Sequence, residues 1–285
     1  MTSRIVRAAA KTSQDLSGVR RNAGTRVLTR YLISMALHAP EILRKRSLIP
    51  ADRGMRRGPY RFCPAGPASA IHLDSSTPLF QREDVFSGAR EMYCRGVYSA
   101  CPGFDIHPGD TIFDLGANIG LFSTMAAVAG ARVVAIEAQS GFLPCIEENL
   151  GQNNVRDRVA VHHGLIAGTR GVLSGGSLFG DHWFSDPTEV TIPELTEEHH
   201  VEWIDLMKVD IEGSEFELLT EDAAWLGRVD RIAMEVHPPH GSVAELARVL
   251  EGHGFDVRLL DNDGAKTEAV TGPTGFLFAR RTPRS

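Results

Sequence analysis

Four short apolar segments of this chain end in residues that can bind charged groups or move protons. Their polar termini contain, in chain order, Asp114, Glu137, Lys208 with Asp210, and His237. Carboxylates can bind cations and sugar hydroxyls, while lysine, aspartate and histidine can accept or donate protons. Strand ends in an open α/β sheet lie beside one another, so this spacing predicts a single site that combines ligand binding with proton transfer.

The run TIFDLGANIG at 111–120 predicts a strand, a glycine-rich turn and the start of a helix. Gly116 and Gly120 allow a tight turn and a close approach to a ligand, and the helix N-terminus offers free N–H donors. Glu137 lies 21 residues after Gly116 and ends the next apolar strand, where an acid accepts hydrogen bonds from ribose hydroxyls. Together they predict a site for an adenosine-containing cofactor.

The glycine pattern separates two cofactor classes. Nicotinamide sites usually read G-x-G-x-x-G, whereas this turn reads D-x-G-A-N-x-G, with Asn118 in place of the second glycine. Asp114, just before the turn, suits a cationic ammonium group, which S-adenosylmethionine has and NAD lacks. The pattern favours S-adenosylmethionine, bound by Asp114, Gly116, Asn118, Gly120 and Glu137, with an NAD(P)-dependent oxidoreductase as the alternative.

The run KVDIEGSE at 208–215 supplies two candidate bases. Alternate residues of a strand share a face, so Lys208 and Asp210 project together and either could take a proton from a substrate hydroxyl. The competing interpretation is an ion pair that only stabilises the strand ends. His237, at the end of the next strand, is the third candidate base, or else a packing residue.

A metal is the other use for the polar residues of these two strand ends. Asp210, Glu212, Glu235 and His237 combine carboxylates with imidazole, which suits several divalent ions. Their spacing matches no known site, so no metal ligands are predicted.

Alternating segments define the architecture. Strands are expected at 111–115, 132–137, 158–163, 203–210 and 229–236, with helices at 119–129, 140–151 and 242–252. This alternation predicts a parallel sheet. The segments at 255–260 and 275–280 flank a turn-rich loop and predict a terminal antiparallel hairpin, giving seven strands in all, with a further short strand near 189–192. This α/β plan is typical of Rossmann-like class I methyltransferases and differs from a plain NAD domain.

The N-terminal region differs in charge from the rest. Residues 1–65 contain 14 Lys and Arg against 3 Asp and Glu, and the other 220 residues contain 16 against 33. We predict a basic extension and linker at 1–66, poorly ordered at 1–22 and helical at 24–46, before a catalytic domain at 67–285. The basic arm could contact a membrane surface, or dock on its own acidic domain, or serve a non-catalytic binding protein. The acidic domain disfavours nucleic acid as a partner.

Cellular location and acceptor are less constrained. The four cysteines form no CxxC pair, and no run of 18 apolar residues is present, which favours reduced thiols in the cytoplasm and no membrane span. The irregular segment 164–188 is expected to cover an acceptor pocket with Phe179, Trp183 and Phe184. The oligomeric state does not follow from the sequence.

The order of these motifs resembles FkbM-type methyltransferases. The resemblance covers roughly residues 90–280 and rests on RGVY at 95–98, HPGDTIFDLGANIG at 107–120, Glu137, Asn149 with Asn153, KVDIEGSE and MEVH at 234–237. It implies a class I fold, S-adenosylmethionine as methyl donor, and O-methylation of a hydroxyl on a small metabolite, sugar or glycolipid. One departure is visible: the acidic strand end usually reads Glu-Pro, whereas Ala138 follows Glu137 here.

Overall fold

The structure is a computed structural model that describes residues 2–56, 58–64, 66, 69–74, 85–166, 187–220 and 223–282, without the side chains of 2–10. The chain forms two compact units. We call Met1–Val97 with Glu148–Asn154 the N-terminal unit, and Tyr98–Glu147 with Val155–Ser285 the sheet unit. The domain boundary at residue 66 stays a prediction, and it falls within the first of these units.

The N-terminal unit is mostly helical. Its helices are α1 (Thr2–Ala23), α2 (Thr25–Leu37), α3 (Ala39–Lys45), α4 (Ile49–Arg53) and α5 (Val85–Ala89), followed by a π-helix (Arg90–Arg95). A small antiparallel sheet pairs β1 (Tyr60–Phe62) with β2 (Ile71–Leu73). A 3-10 turn at Val97–Ser99 follows the π-helix.

Residues 1–22 were expected to be poorly ordered, and this prediction is wrong because they form α1. Over residues 11–23, the part of α1 whose side chains are described, the buried positions are Asp15, Gly18 and Val19, at helical spacing but with a single apolar side chain. Asp15 Oδ2 lies 3.0 Å from Arg90 Nη1, and a Cβ on Gly18 would collide with the carbonyl oxygen of Cys94. The many polar and charged residues of this segment suggested disorder, whereas an ion pair and a close backbone contact hold the helix in place.

The continuous helix predicted at 24–46 and the linker predicted at 51–66 also need correction. The helix divides into α2 and α3 at His38, since Pro40 lies in the first turn of α3, where no N–H donor is needed. The linker region contains the end of α4 and all of β1. Tyr60 and Phe62 are buried in the N-terminal unit, and tertiary packing rather than local pattern defines so short a strand.

The sheet unit contains a nine-stranded sheet. Its strands are β3 (Thr111–Leu115), β4 (Arg132–Glu137), β5 (Val159–Ile166), β6 (Thr188–Val190), β7 (Ile204–Val209), β8 (Val229–Val236), β9 (Phe255–Asp261), β10 (Lys266–Thr267) and β11 (Gly275–Arg281). The helices of this part of the chain are α6 (Leu121–Val128), α7 (Leu143–Gln152), α8 (Ile192–Glu198), α9 (Glu215–Leu218) and α10 (Val243–Gly252). Residues 148–152 of α7 belong to the N-terminal unit. Short 3-10 turns lie at Ser140–Phe142, Arg156–Arg158, Ala224–Arg228 and Pro238–His240.

The strand order is β10-β9-β11-β8-β7-β3-β4-β5-β6. Strands β3 to β8 pair in parallel, and β11 is antiparallel to both β8 and β9. The predicted class I α/β plan with its terminal hairpin is therefore confirmed, with β6 and β10 as short additions at the two edges.

The connections place a topological switch point between β3 and β7. From β3 the chain moves to β4, β5 and β6 on one side, and it then returns to β7 and β8 on the other. Ligands of such sheets bind at the carboxyl ends of the strands beside this reversal. A ligand site is therefore expected at the carboxyl ends of β3, β4, β7 and β8.

Two further expectations can be compared with the described residues. All four cysteines are free thiols. Within the described part of the chain, no helix is both long and apolar enough to cross a bilayer. The aromatic residues predicted to line an acceptor pocket, Phe179, Trp183 and Phe184, lie outside the described residues.

Candidate active site

A buried ion pair joins the ends of the two strands at the switch point. Asp114 of β3 and Lys208 of β7 are in register on neighbouring strands, and Lys208 Nζ lies 3.1 Å from Asp114 Oδ1. The two residues are only 0% and 1% exposed. Ser123 Oγ donates to Asp114 Oδ2 at 2.5 Å, and Lys208 Nζ donates to the carbonyl oxygen of Gly116 at 2.6 Å. The pair therefore connects both strands to the glycine-rich turn.

Lys208 carries a positive charge in this environment. Burial by itself lowers the pKa of the amine, but Asp114 and Asp210 outweigh it, so that the pKa is raised above 10.5. The ammonium also lies 5.5 Å from the centroid of the Tyr98 ring. A lysine that is protonated and already donates to several oxygens has no lone pair with which to accept a substrate proton.

Asp210 lies at the accessible end of this network. Its Oδ2 accepts a 2.8 Å hydrogen bond from the Tyr98 hydroxyl and lies 3.9 Å from Lys208 Nζ. The Asp210 side chain remains 25% exposed, and its backbone N–H donates to Leu115 at 3.0 Å. Asp210 is therefore positioned from two sides while part of its carboxylate stays open to a ligand.

The glycine-rich turn has a left-handed backbone at three positions, with φ of 76° at Gly116, 51° at Asn118 and 78° at Gly120. A Cβ on Gly116 would collide with the carbonyl oxygen of Asp210, and one on Gly120 would lie 3.1 Å from Ile146 Cα. Both glycines thus permit close packing of the turn against neighbouring backbone. Asn118 is exposed, and its Oδ1 accepts a 2.7 Å hydrogen bond from the Ile119 N–H.

Glu137 connects the end of β4 with this turn. Its Oε2 accepts from the Asn118 N–H and its Oε1 from the Gln139 N–H, each at 2.7 Å. The residue is 5% exposed, and burial raises the pKa of the carboxyl against the opposing effect of these two N–H groups. Each carboxylate oxygen has a second lone pair, so Glu137 can still accept hydrogen bonds from a ligand.

A carboxylate–histidine–carboxylate chain lies at the ends of β7 and β8. His237 Nδ1 lies 3.0 Å from Oε1 of the fully buried Glu215, which also accepts from the His237 backbone N–H at 2.8 Å. On the other side of the ring, Nε2 lies 3.4 Å from Glu212 Oε2. Glu215 thus fixes the ring orientation, so that Nε2 faces Glu212 on the opposite side of the ring.

The surrounding acids determine the proton affinity of His237. Burial lowers its pKa, but the hydrogen bond to Glu215 and the charges of Glu215, Glu212 and Asp210 raise it to about 9. At neutral pH the imidazole is therefore mostly protonated, and its neutral form becomes more populated as the pH rises.

Comparison with known proteins identifies this arrangement. Residues 114–257, half of the chain, match the methyltransferase FkbM domain family. The chain belongs to the FkbM methyltransferase family. It is accordingly an S-adenosylmethionine-dependent methyltransferase, and the resemblance drawn from the sequence motifs is confirmed.

Individual relatives cover much of this FkbM-family chain. The 31-O-demethyl-FK506 methyltransferase FkbM of Streptomyces tacrolimicus is 25% identical over 233 residues, which span 67% of this chain and 86% of that protein. AMB antimetabolite synthetase AmbE of Pseudomonas aeruginosa is 27% identical over 66% of this chain, but only 11% of its own length. Among solved structures, a precorrin-6y C5,15-methyltransferase from Geobacter metallireducens is 16% identical with a TM-score of 0.42, covering 66% of this chain and 86% of that one.

The residues of the FkbM-family site fit a cationic, adenosine-containing donor. The strand ends contain four carboxylates, Asp114, Glu137, Asp210 and Glu212, around the cations Lys208 and His237. The excess of negative charge suits a sulfonium and an ammonium, and Glu137 retains acceptor capacity for ribose hydroxyls. The eight residues predicted for catalysis or cofactor binding all lie on these strand ends or on the turn between β3 and α6. Their individual roles remain predictions.

Three contributors to the FkbM-family site were absent from the sequence prediction. Tyr98 positions Asp210, Ser123 donates to Asp114, and Glu215 holds His237. Tyr98 and Glu215 lie within the quoted motifs RGVY and KVDIEGSE, so the motifs located them without assigning roles. Ser123 lies in the first turn of α6 and carried no signal of its own.

Among the residues that the structure describes, two groups of side chains have the spacing of metal ligands. Donor atoms of Asp210, Glu212 and His237 lie within 4.8 Å of one another, as do those of His162, Glu198 and His199. In the second group the Nε2 atoms of the two histidines are 2.6 Å apart. The sequence predicted no metal ligands, and that prediction stays untested.

Replacement of Gly116 by alanine is expected to destabilise the sheet unit by at least about 2 kcal/mol, since a left-handed backbone costs about 1–2 kcal/mol for a residue with a Cβ and the new methyl also meets Asp210. Urea unfolding of Gly116→Ala, with the exposed Gly141→Ala as control, measures this. A variant as stable as the wild type would show that the turn can relax.

Replacement of Glu137 by glutamine is expected to weaken binding of S-adenosylhomocysteine about tenfold or more, since a hydrogen bond to a charged group contributes about 1.5–3 kcal/mol. Calorimetric titration measures this affinity. Glu147→Gln is the matched control, because Glu147 is an exposed acid of α7 paired with Arg156 at 3.0 Å. Equal affinity in the two variants would remove Glu137 from the cofactor site.

Proposed function

We propose that this protein transfers the methyl group of S-adenosylmethionine to a hydroxyl oxygen of a small molecule. The observation that carries the proposal is the pairing of His237 with Glu215 at the carboxyl ends of β7 and β8. His237 Nδ1 lies 3.0 Å from Glu215 Oε1, so Nε2 points away from this buried carboxylate. A histidine oriented by a buried carboxylate is the usual arrangement for removing a proton from a hydroxyl nucleophile.

Each residue of the site then has a defined task. S-adenosylmethionine supplies an electrophilic methyl group when bound. Neutral His237 accepts the hydroxyl proton at Nε2, and Glu215 stabilises the imidazolium that results. Asp210 orients the acceptor and is itself positioned by Tyr98. Asp114 and Glu137 bind the donor, at its ammonium and its ribose.

Lys208, predicted as a candidate base, is better suited to a positioning role. Its contacts with Asp114 and with the Gly116 carbonyl place its charge in the framework of the site. Of the three candidate bases, we propose His237 as the base and Asp210 as the group that orients the acceptor.

A small acceptor is supported by the relatives and by charge. The name of the Streptomyces relative describes methylation at an oxygen. The 220 residues after position 65 contain 33 Asp and Glu against 16 Lys and Arg, which disfavours a polyphosphate chain at the site. We therefore propose a secondary metabolite, sugar or glycolipid rather than nucleic acid as substrate, in the cytoplasm.

The raised pKa of His237 predicts how the reaction depends on pH. Because the base must be neutral, kcat/KM is expected to rise with pH up to about 9. Glu212→Gln removes a negative charge that stabilises the imidazolium, so it should move this rise toward lower pH. A pH profile of both proteins, with the exposed Glu251→Gln as control, measures the shift. Superimposable profiles for all three would exclude the influence of Glu212.

The proposal is tested with radiolabelled S-adenosylmethionine. The purified chain is incubated with panels of hydroxylated metabolites, sugars and glycolipids, and separately with amines and total RNA. Label in an alkali-stable methyl ether supports the proposal, whereas label in an amine or in RNA contradicts it. Calorimetric titration with S-adenosylhomocysteine and NAD checks that the tested preparation binds the donor class. Misfolded protein is then excluded as the reason for a lack of label in every acceptor.

A further inference from the structure

The exposed large hydrophobic residues of this protein are concentrated in one short stretch. Of the six found in the described residues, five lie between positions 32 and 49, and the sixth, Trp203, belongs to the sheet unit. Leu32 is 44% exposed, Ile33 56%, Leu37 74%, Leu43 78% and Ile49 40%. Single exposed apolar side chains are normal, so five of them within 18 consecutive residues call for an explanation.

Four of these residues form what we call the α2–α3 patch: Leu32, Ile33, Leu37 and Leu43. The first three lie on one side of α2, at positions i, i+1 and i+5. The opposite side of α2 is already packed. The Tyr31 ring packs against the Phe86 ring in a tilted arrangement with centroids 5.3 Å apart, and the Ser34 hydroxyl donates to the carbonyl oxygen of Ala51 at 2.7 Å. The core of the N-terminal unit therefore does not require the apolar side chains on the outer face.

The segment that contains this patch is rich in basic residues. Residues 24–56 contain seven Lys and Arg and two Asp and Glu. Both acids are engaged internally: Glu41 lies 2.7 Å from Lys45, and the buried Asp52 lies 3.0 Å from Arg90. Arg44 and Arg46 follow Leu43 directly and are exposed. The exposed Arg44 and Arg46 thus place positive charge next to the exposed apolar side chain of Leu43.

We propose that the α2–α3 patch binds the surface of an anionic phospholipid bilayer. Leucine and isoleucine side chains enter the boundary between headgroups and acyl chains, while the flanking arginines remain at the level of the phosphates. An anionic leaflet contributes about a fivefold gain in affinity for each basic residue near it. A folded protein partner of opposite charge would satisfy the charge but needs its own apolar pocket, whereas a bilayer accepts any apolar face.

The test is flotation of the whole chain with vesicles of phosphatidylcholine alone, or of phosphatidylcholine with about 30 mol% phosphatidylglycerol, an anionic lipid. We expect binding to the anionic vesicles, weakened by 0.5 M NaCl. The variant Leu32→Ser/Ile33→Ser/Leu37→Ser/Leu43→Ser should bind at least about tenfold more weakly, because the apolar anchor is lost. Arg44→Gln/Arg46→Gln should bind more weakly and depend less on salt. Trp203→Ser, which removes an exposed apolar side chain from the sheet unit, should bind like the wild type.

Other results would overturn the proposal. Wild-type protein that stays unbound, or a quadruple variant that floats as well as the wild type, contradicts it. So does a wild-type dimer that the quadruple variant converts to monomers without any vesicle binding, because the patch would then join two copies. Circular dichroism and S-adenosylhomocysteine titration of every variant check that both units remain folded, independently of the methyl acceptor.

Discussion

Replacing Lys208 by methionine is expected to reduce the free energy of unfolding of the sheet unit by about 3–5 kcal/mol. The removal of one partner of the ion pair leaves the other as a buried charge without compensation. Asp114 is fully buried, and in the variant its carboxylate would keep only the hydroxyl of Ser123. The methionine has a similar volume, so the loss reports charge and hydrogen bonding rather than a cavity. Urea unfolding followed by circular dichroism measures it.

The double variant Lys208→Met/Asp114→Asn separates stability from activity. Removal of both charges should recover much of the stability, because a neutral pair avoids the uncompensated carboxylate. Activity should not return, since the proposed ammonium ligand of the donor is missing as well. A loss of less than about 1 kcal/mol in the single variant would contradict the structural role of Lys208 and restore it as a candidate base.

Replacing His237 by glutamine is expected to lower kcat by about 10²–10⁴-fold, the range typical of a positioned general base. Glutamine can still donate a hydrogen bond to Glu215, so the buried carboxylate keeps a partner. Affinity for S-adenosylhomocysteine should stay at the wild-type value, since Asp114 and Glu137 are unchanged. Single-turnover methyl transfer, measured beside calorimetric titration, distinguishes chemistry from binding.

His240 provides the matched control for this substitution. It lies three residues after His237, in the 3-10 turn Pro238–His240, and its side chain is exposed. His240→Gln should retain wild-type turnover and the wild-type pH profile. If the two variants are equally active, His237 is not the base and Asp210 becomes the leading candidate. If both variants lose activity together with thermal stability, disruption of the turn after β8 explains the loss of activity. That result would contradict the role of His237 as the base.

The carboxyl ends of β3, β4, β7 and β8 were predictable because the information is local. A mostly apolar run that ends in DLGANIG, or in KVDIEGSE, specifies its strand and its turn within about ten residues. Strand alternation then implies a parallel sheet, whose carboxyl ends must meet at one edge. For this reason all eight predicted site residues lie at that edge or on its glycine-rich turn.

Pairing between distant residues was decided by the tertiary structure. Tyr98 is hydrogen-bonded to Asp210, 112 residues away in the sequence, and Arg90 to Asp52, 38 residues away. No local pattern predicts either contact. The helix α1 is the clearest case, because over residues 11–23 its buried side consists of an aspartate, a glycine and a valine, whose partners lie far away in the sequence.

The sequence by itself therefore determined the class I fold, the donor and the grouping of the predicted site residues at the carboxyl ends of the strands. Only the tertiary structure decided which residues hold protons and where apolar side chains remain uncovered. Proton affinity depends on burial and on charges brought together by folding, as His237 shows with Glu215 and Glu212. Exposure likewise depends on which side of α2 the core uses, and that choice is made by Tyr31 and Ser34 in the folded chain.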